Sequence, residues 1–200
     1  MKKVFIAIIL LAFVGGWFFL NNSDSNENGI TKQLQQEASD VLNSQSQESE
    51  VPVGTPTRIT IAKIGVDAEI ESVGMNEKGE MAVPQEDMNV AWYNLGYKPG
   101  DAGSAVVAGH FDTRTGNPAV FYDLAKLSNG DEIEVSYPDG KEYTFEVTDS
   151  ELYPFNDFPL QKVFNTKGTP TLNLITCDGV FNSSAQNYSQ RRVVYATLKE

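Results

Sequence analysis

The chain predicts a mainly β domain, a closed or nearly closed barrel of about eight strands with a few short helices, and three features predict it. From Thr57 onward, short runs rich in Val, Ile, Thr, Tyr and Phe follow one another, separated by Gly, Pro, Asp and Asn. Two of these runs alternate cleanly around Pro138-Asp139-Gly140, which is a hairpin signature. A third, Gly103 to Gly109, is small and almost wholly apolar, the pattern of a strand buried on both faces. About eight such strands in one domain can remove their exposed edges by closing on themselves.

Taken in order, Arg58 to Ile61 begins the first strand and Val66 to Ile70 the second. Gly103 to Gly109 follows, then the hairpin pair Ile133 to Tyr137 and Tyr143 to Val147. Thr171 to Thr176 and Val193 to Leu198 complete the set. Ala119 to Leu127 and Pro159 to Phe164 carry helical spacing and predict short helices between strands. No internal repeat is present.

Ahead of this region lie two segments of different character. Met1-Lys2-Lys3 precedes Val4 to Leu20, an uncharged apolar run at the short end of the roughly 17–25 residues that span a bilayer as a helix. Lysines on the N-terminal side fix that end inside, and Trp17-Phe18-Phe19 suits the outer interface. A cleaved signal peptide shares the basic start, but Ala12-Phe13-Val14 and Val14-Gly15-Gly16 make poor cleavage sites. The expectation is a signal-anchor over residues 1–20, with the N-terminus cytoplasmic and everything beyond it outside the cell membrane. Residues 21–56, rich in Asn, Ser, Gln and Glu, cannot bury enough surface to offset their ordering entropy and read as a flexible polar linker. Residues 57–200 are expected to form one folded domain that carries the function.

Bulk composition narrows the function. The net charge of −12, from 15 basic against 27 acidic residues, repels polyanions and excludes nucleic acid as a partner. The single cysteine forbids an intrachain disulfide, and one cysteine with one histidine cannot supply a zinc cluster. Glu71, Glu77, Glu80, Glu86 and Asp87 are scattered and read as solvated surface, so no metal and no cofactor is expected.

The chemistry is carried by three strand ends. Cys177 ends the run Thr171 to Thr176 and is followed by Asp178-Gly179, which reads as a turn and puts the thiol at a rim. With period 2, Leu172, Leu174 and Thr176 share the likelier core face, and Cys177 falls on the more polar one with Thr171, Asn173 and Ile175. His110 ends the run from Gly103, and Gly109 before it keeps the approach narrow. Arg191-Arg192 opens the last strand. A thiol needs a cationic neighbour to become a nucleophile, and an arginine supplies permanent charge where an oxyanion develops. The plain alternatives are a buried structural thiol and a satisfied histidine. Period-2 alternation separates the arginines. Arg192 sides with Val194, Ala196 and Leu198 toward the interior, and Arg191 sides with Val193, Tyr195 and Thr197, as Cys177 does on its own strand. Asp112 is either a contact of the imidazole or a surface turn carboxylate.

Together these residues resemble the sortases, cysteine transpeptidases of Gram-positive surfaces. Thr171-Leu172-Asn173-Leu174-Ile175-Thr176-Cys177 is similar to the family's Thr-Leu-x-Thr-Cys signature, with a longer gap between Leu172 and Thr176 unless it is aligned from Leu174. Gly109-His110-Phe111-Asp112 resembles the histidine segment, and Asn117 to Tyr122 with Asp157-Phe158-Pro159 looks most like the class F branch. The likeness runs from Thr57 to Glu200 in the order His, Cys, Arg. It implies the same barrel, with Cys177 as nucleophile, His110 as acid and base, and Arg191 as oxyanion donor. It also implies cleavage of a Leu-Pro-x-Thr-Gly-like sorting signal between Thr and Gly. The partners would be surface proteins bearing that signal and an amine acceptor on a peptidoglycan precursor or a pilin.

Substrate-binding residues are not assigned. Pro154, Phe155, Phe158, Pro159, Leu160, Val163 and Phe164 are either a groove wall or ordinary core. The alternatives differ in pattern or class. An L,D-transpeptidase carries a Ser-His-Gly-Cys-like cluster and a papain-like peptidase puts its cysteine ahead of its histidine, and neither is present. A tethered β-barrel that only binds peptides or lipids, with Cys177 inert, is the alternative from a different class.

Overall fold

A computed structural model of the chain describes residues 54–199. The expected signal-anchor over 1–20 and nearly all of the linker over 21–56 lie outside the described residues. Eight strands run in order: β1 (Arg58–Ile61), β2 (Val66–Val73), β3 (Val90–Tyr93), β4 (Ser104–Gly109), β5 (Glu132–Ser136), β6 (Glu142–Pro154), β7 (Thr171–Asn182) and β8 (Asn187–Leu198). One α-helix, α1 (Leu160–Phe164), and 3-10 turns at Ala62–Ile64 and Leu124–Lys126 complete the elements. The strands close into a barrel in the order β1-β2-β3-β4-β7-β8-β6-β5, with β1 also paired to β5. Only β2 with β3 and β4 with β7 are parallel.

Alternation explains the core. Ile59, Ile61, Ile133, Val135, Phe145, Val147, Leu172, Leu174, Val194 and Ala196 are buried and point inward, with Phe121, Leu124 and Leu127 from the β4–β5 connection packed among them. Apolar area removed from water at about 25 cal/mol per Å² is what drives this closure. A second, smaller cluster lies on the outer face, where Val106, Val163 and Val193 are buried with Tyr93, Tyr153, Phe158, Phe164, Ile175 and Tyr195 against them. The strand β4 is therefore covered on both sides, as its unbroken apolar composition requires.

Three expectations change. Ala119 to Leu127 is not a helix. The N–H groups of Ala119, Val120 and Phe121 donate instead to Phe111, Asp87 and His110, so they are spent on other segments and only Leu124–Lys126 winds as 3-10. Asp178-Gly179 is not the end of a strand. β7 continues to Asn182 through an irregularity between Asp178 and Phe181, where Gly179 takes φ 83°, and pairs with β8 beyond it. The outer face of β7 is not polar either, because α1 covers it and Asn173 is buried, its amide donating to the Val163 carbonyl at 2.6 Å.

A short ion network pins α1 to the sheet. Lys162 Nζ donates to Glu151 at 2.7 Å and to the Tyr153 hydroxyl at 3.0 Å, Tyr153 contacts Tyr195 at 3.0 Å, and Lys162 sits 4.6 Å over the Tyr195 ring. The bonds from Lys162 and Tyr153 lower the Glu151 carboxyl to about 2. A carboxylate whose folded value is depressed stabilises the fold above its ordinary range and loses that contribution as pH falls. The attachment of α1 should therefore weaken between pH about 4.5 and 2, read as a loss of protection in amide exchange at Val163 and Phe164.

Gly109, the last residue of β4, has no room for a side chain. A Cβ there would meet the buried Phe121 ring at 2.5 Å and Val120 at 2.8 Å. Gly109→Ala should lower stability by about 1–3 kcal/mol, the usual cost of forcing an extra carbon into a packed core, measured by thermal unfolding.

Candidate functional site

The parallel pairing of β4 with β7 builds the site. Its register runs from Ser104↔Thr171 to Ala108↔Ile175, so His110 and Cys177, each two residues further along, leave adjacent strands at the same level. Thr176, buried on the inner face, donates its hydroxyl to the Gly109 carbonyl at 2.9 Å and ties the two ends together. On the other side β8 runs antiparallel to β7, and its register pairs Cys177 with Arg191. A thiol, an imidazole and a guanidinium thus arise from three neighbouring strands.

Arg191 is held by its own hairpin. Nη1 donates to the carbonyls of Tyr188 at 3.2 Å and Gln190 at 2.9 Å, and Nη2 donates to Asn187 Oδ1 at 2.6 Å. The Phe155 ring lies 6.0 Å from the guanidinium carbon. No protein partner takes the Arg191 Nε–H among the described residues, which leaves a donor for an anionic oxygen. Arg192 has a different task. Its Nε donates to Asp178 Oδ2 at 2.9 Å and its Nη1 to Ser150 Oγ at 3.2 Å, with Thr176 and Val194 as its neighbours on the inner face. That half-buried ion pair joins three strands and leaves Arg192 committed to structure.

His110 and Asp112 do not meet through a hydrogen bond. The imidazole Nε2 lies 3.1 Å from the Pro84 carbonyl, a contact in which Nε2–H donates. Asp112 Oδ2 accepts instead from the Tyr188 hydroxyl at 2.6 Å, and that bond raises Tyr188 to about 12. Tyr188 packs against Phe111 with centroids 5.6 Å apart and against Phe181 at 5.2 Å, and Phe111 packs against Tyr122 at 4.8 Å. The Asp112–Tyr188 bond therefore connects the segment after His110 to the hairpin bearing Arg191.

The thiol of Cys177 is free and half-buried. Burial pushes it above the ordinary thiol value, Arg191 draws it back down, and Asp112 pushes it up. Burial dominates, so at neutral pH the group rests as a thiol, and any step that neutralises Asp112 or strengthens the field of Arg191 favours the thiolate.

The apolar residues after Tyr153 divide. Val163, Phe164 and Phe158 belong to the outer cluster, whereas Phe155 and Leu160 are exposed, Phe155 beside Arg191. Asn187 and Tyr188 were not singled out from sequence, nor was the Pro84 carbonyl. The hairpin that presents the first two was hidden because the turn was placed at Asp178-Gly179. Pro84 is 26 positions from His110 and carries no local sign of the contact. Glu71 was read as solvated surface, but its carboxylate accepts from the Gln85 N–H at 2.8 Å and from Asn89 Nδ2 at 3.1 Å. Among the described residues no three His, Cys, Asp or Glu side chains gather as a metal site would need, and no helix is long and apolar enough to cross a membrane.

The opposed charges around Cys177 give a direct test. Alkylation of the thiol by iodoacetamide should rise with pH along a profile displaced upward from an ordinary thiol. Arg191→Ala should displace it further up and Asp112→Asn should bring it down. Identical profiles for both variants and the parent would show that neither charge reaches the sulfur.

A family model described as the Sortase domain matches residues 59–199. No curated protein matches the chain. Among solved structures, it is similar to a Clostridium perfringens sortase D5 transpeptidase at 21% identity, covering 88% of this chain and 91% of that one, with a TM-score of 0.55. It is similar also to sortase C1 from Streptococcus agalactiae at 21% identity, covering 88% and 93%, with a TM-score of 0.57. Sortase A from Corynebacterium diphtheriae shares 19% identity over 90% and 73%, with a TM-score of 0.54. At these identities the three structures speak for the shared barrel and select no class within the family. The match over residues 59–199, on a closed barrel whose β7 ends its signature run at a free thiol, makes this chain a member of the sortase family of cysteine transpeptidases.

Proposed function

We propose that the protein cleaves a C-terminal Leu-Pro-x-Thr-Gly-like sorting signal between Thr and Gly and transfers the upstream protein to an amine on a peptidoglycan precursor or a pilin. Residues 1–20 anchor it in the cell membrane with the N-terminus cytoplasmic, and residues 21–56 hold the domain on the outer side. The observation that carries the reading is the pairing of Cys177 with Arg191 on β7 and β8, beside the strand end bearing His110.

In this reading neutral His110 takes the proton of the Cys177 thiol, and the resulting thiolate attacks the threonine carbonyl. The S–C bond forms as the carbonyl oxygen takes negative charge, and Arg191 lies beside the nucleophile to donate to that oxygen. Collapse breaks the C–N bond, and protonated His110 gives its proton to the leaving glycine amine. The thioacyl enzyme then meets the acceptor amine. Neutral His110 takes the proton from the amine as the new C–N bond forms and the thiolate departs. Exposed Phe155 and Leu160, on the segment that ends β6 and enters α1, offer apolar contact for the leucine and proline of the signal.

Peptide exchange tests these roles. With a panel of sorting-signal peptides and a glycine amine, mass spectrometry should show no product from Cys177→Ala. His110→Ala should lose about 10²–10⁴-fold in rate. Arg191→Ala should lose about 2.7–4 kcal/mol of transition-state stabilisation, the usual loss of one oxyanion donor, whereas Arg192→Ala should lower thermal stability and leave most of the exchange rate. Product from Cys177→Ala would sink the nucleophile assignment and revive the binding module with an inert cysteine. A dead Arg192→Ala beside an active Arg191→Ala would reverse the arginine roles.

Topology has its own test. Trypsin added to intact protoplasts should cut at Lys32, ahead of the barrel, and release the domain, whereas Arg58 is held within β1. A domain that resists shaving and fractionates with cytosol would overturn the anchor.

A further inference from the structure

The imidazole of His110 makes one hydrogen bond to protein among the described residues, from Nε2 to the Pro84 carbonyl. The place of that carbonyl is set by the chain that follows it, and this chain is gathered at one side chain. Glu71 Oε2 accepts the Gln85 N–H at 2.8 Å, while Oε1 accepts the Glu86 N–H at 3.3 Å and Asn89 Nδ2 at 3.1 Å. The Asn89 N–H donates to the Glu86 carbonyl at 3.1 Å and closes the turn. Glu71 itself sits on β2 in register with Ala91 of β3, a fixed platform on the barrel wall.

A second route reaches the histidine from the same loop. The Asp87 carbonyl accepts the Val120 N–H at 3.1 Å, and the adjacent Phe121 N–H donates to the His110 carbonyl at 2.9 Å. Residues 84–89 thus touch the imidazole at one end and brace the backbone behind it at the other. Burial alone would raise the Glu71 carboxyl, but the Gln85 amide, the Asn89 side chain, the Glu86 amide and the charge of His110 bring it below its ordinary value. It is therefore an anion at neutral pH, able to hold three donors at once.

We infer that Glu71 is a positioning residue for the transfer reaction: by anchoring residues 85–89 it presents the Pro84 carbonyl to His110 Nε2–H, fixes the imidazole tautomer, and leaves Nδ1 as the nitrogen that passes the proton between the leaving and incoming amines. The inference rests on the acid–base reading of His110. It assigns a task to a residue 39 positions away that touches neither the thiol nor the guanidinium in any hydrogen bond described above. A proline suits the position ahead of the anchor. It has no N–H to divert and a fixed φ, so its carbonyl is delivered by the held segment alone.

The test uses the full chain, whose single histidine makes every imidazole signal unambiguous. Glu71→Ala, Glu71→Gln, Asn89→Ala and His110→Ala are compared in peptide exchange and by ¹⁵N NMR of the imidazole. Glu71→Ala should lower kcat by about tenfold to a hundredfold, the scale of a displaced catalytic group, with KM for the peptide within about twofold of the parent. Its ring nitrogens should change from the Nε2–H pattern to a tautomer mixture. Asn89→Ala, which removes one of three ties, and Glu71→Gln, which keeps an acceptor, should fall between, and they carry the test if Glu71→Ala does not fold. An inactive His110→Ala beside Glu71 and Asn89 variants that keep parental kcat and the parental ¹⁵N pattern would overturn the inference alone. So would a loss of kcat with the imidazole pattern unmoved. Full activity in His110→Ala would remove the reading beneath it.

Discussion

The site depends on one ladder, the parallel pairing of β4 with β7. These strands are separated by more than sixty residues and belong to different parts of the chain, yet their register brings His110 and Cys177 to one level. Nothing local could do this, because each residue merely ends its own strand. The pairing is specified by burial. Both strands are covered on the inner side by the barrel core and on the outer side by α1 and its neighbours, so a shift of one residue would send side chains fitted to one face into the packing of the other. The same burial raises the thiol, which makes the position of Cys177 and its protonation consequences of one packing arrangement.

Around that ladder the charged groups are sorted by strand parity. Arg192 turns to the face it shares with Thr176 and Val194 and is consumed by Asp178 and Ser150. Arg191 turns to the face of Cys177 and is steered by Asn187 and two carbonyls of its own hairpin. Two adjacent arginines, alike in composition, are separated by the pleat alone. The anionic side is divided too, with Asp112 held by Tyr188 on one flank of the thiol and Glu71 holding the loop that faces His110.

Much of the barrel was legible because alternation and hairpin chemistry are local signals. Ile133 to Tyr137, Pro138-Asp139-Gly140 and Tyr143 to Val147 state their pairing within a few residues, and β4 announced burial on both faces by composition. What stayed hidden was set at long range. Ala119 to Leu127 has the spacing of a helix, but the N–H groups at its start are claimed by Phe111, Asp87 and His110. β3 is only Val90–Tyr93, too short to stand out. Asp178-Gly179 reads as a turn by chemistry, and only the partner strand shows that Gly179 serves an irregularity inside a longer hairpin. Cys177, His110 and Arg191 could be nominated as candidates from strand ends. The Pro84 carbonyl, Tyr188 and Asn187 could not, because backbone acceptors and neutral side chains leave no mark until the chain is folded, and Glu71 reads in sequence as one scattered acid among several.

The continuation of β7 and β8 past the barrel has an evolutionary consequence. Cys177 and Arg191 face each other across a single antiparallel ladder, and the hairpin closes beyond Asn182 and Asn187, well outside their pair. The spacing of thiol and guanidinium is therefore indexed in whole hydrogen-bonded steps and does not depend on the length of the tip. Residues can be gained or lost at positions 183–186 in a lineage without retuning the chemistry below. A one-residue insertion between Cys177 and the irregularity would instead throw every later side chain of the strand onto the opposite face. The tip at positions 183–186 is thus a region where a lineage can vary in length and composition, insulated from the Cys177–Arg191 pair by the discreteness of β-sheet register.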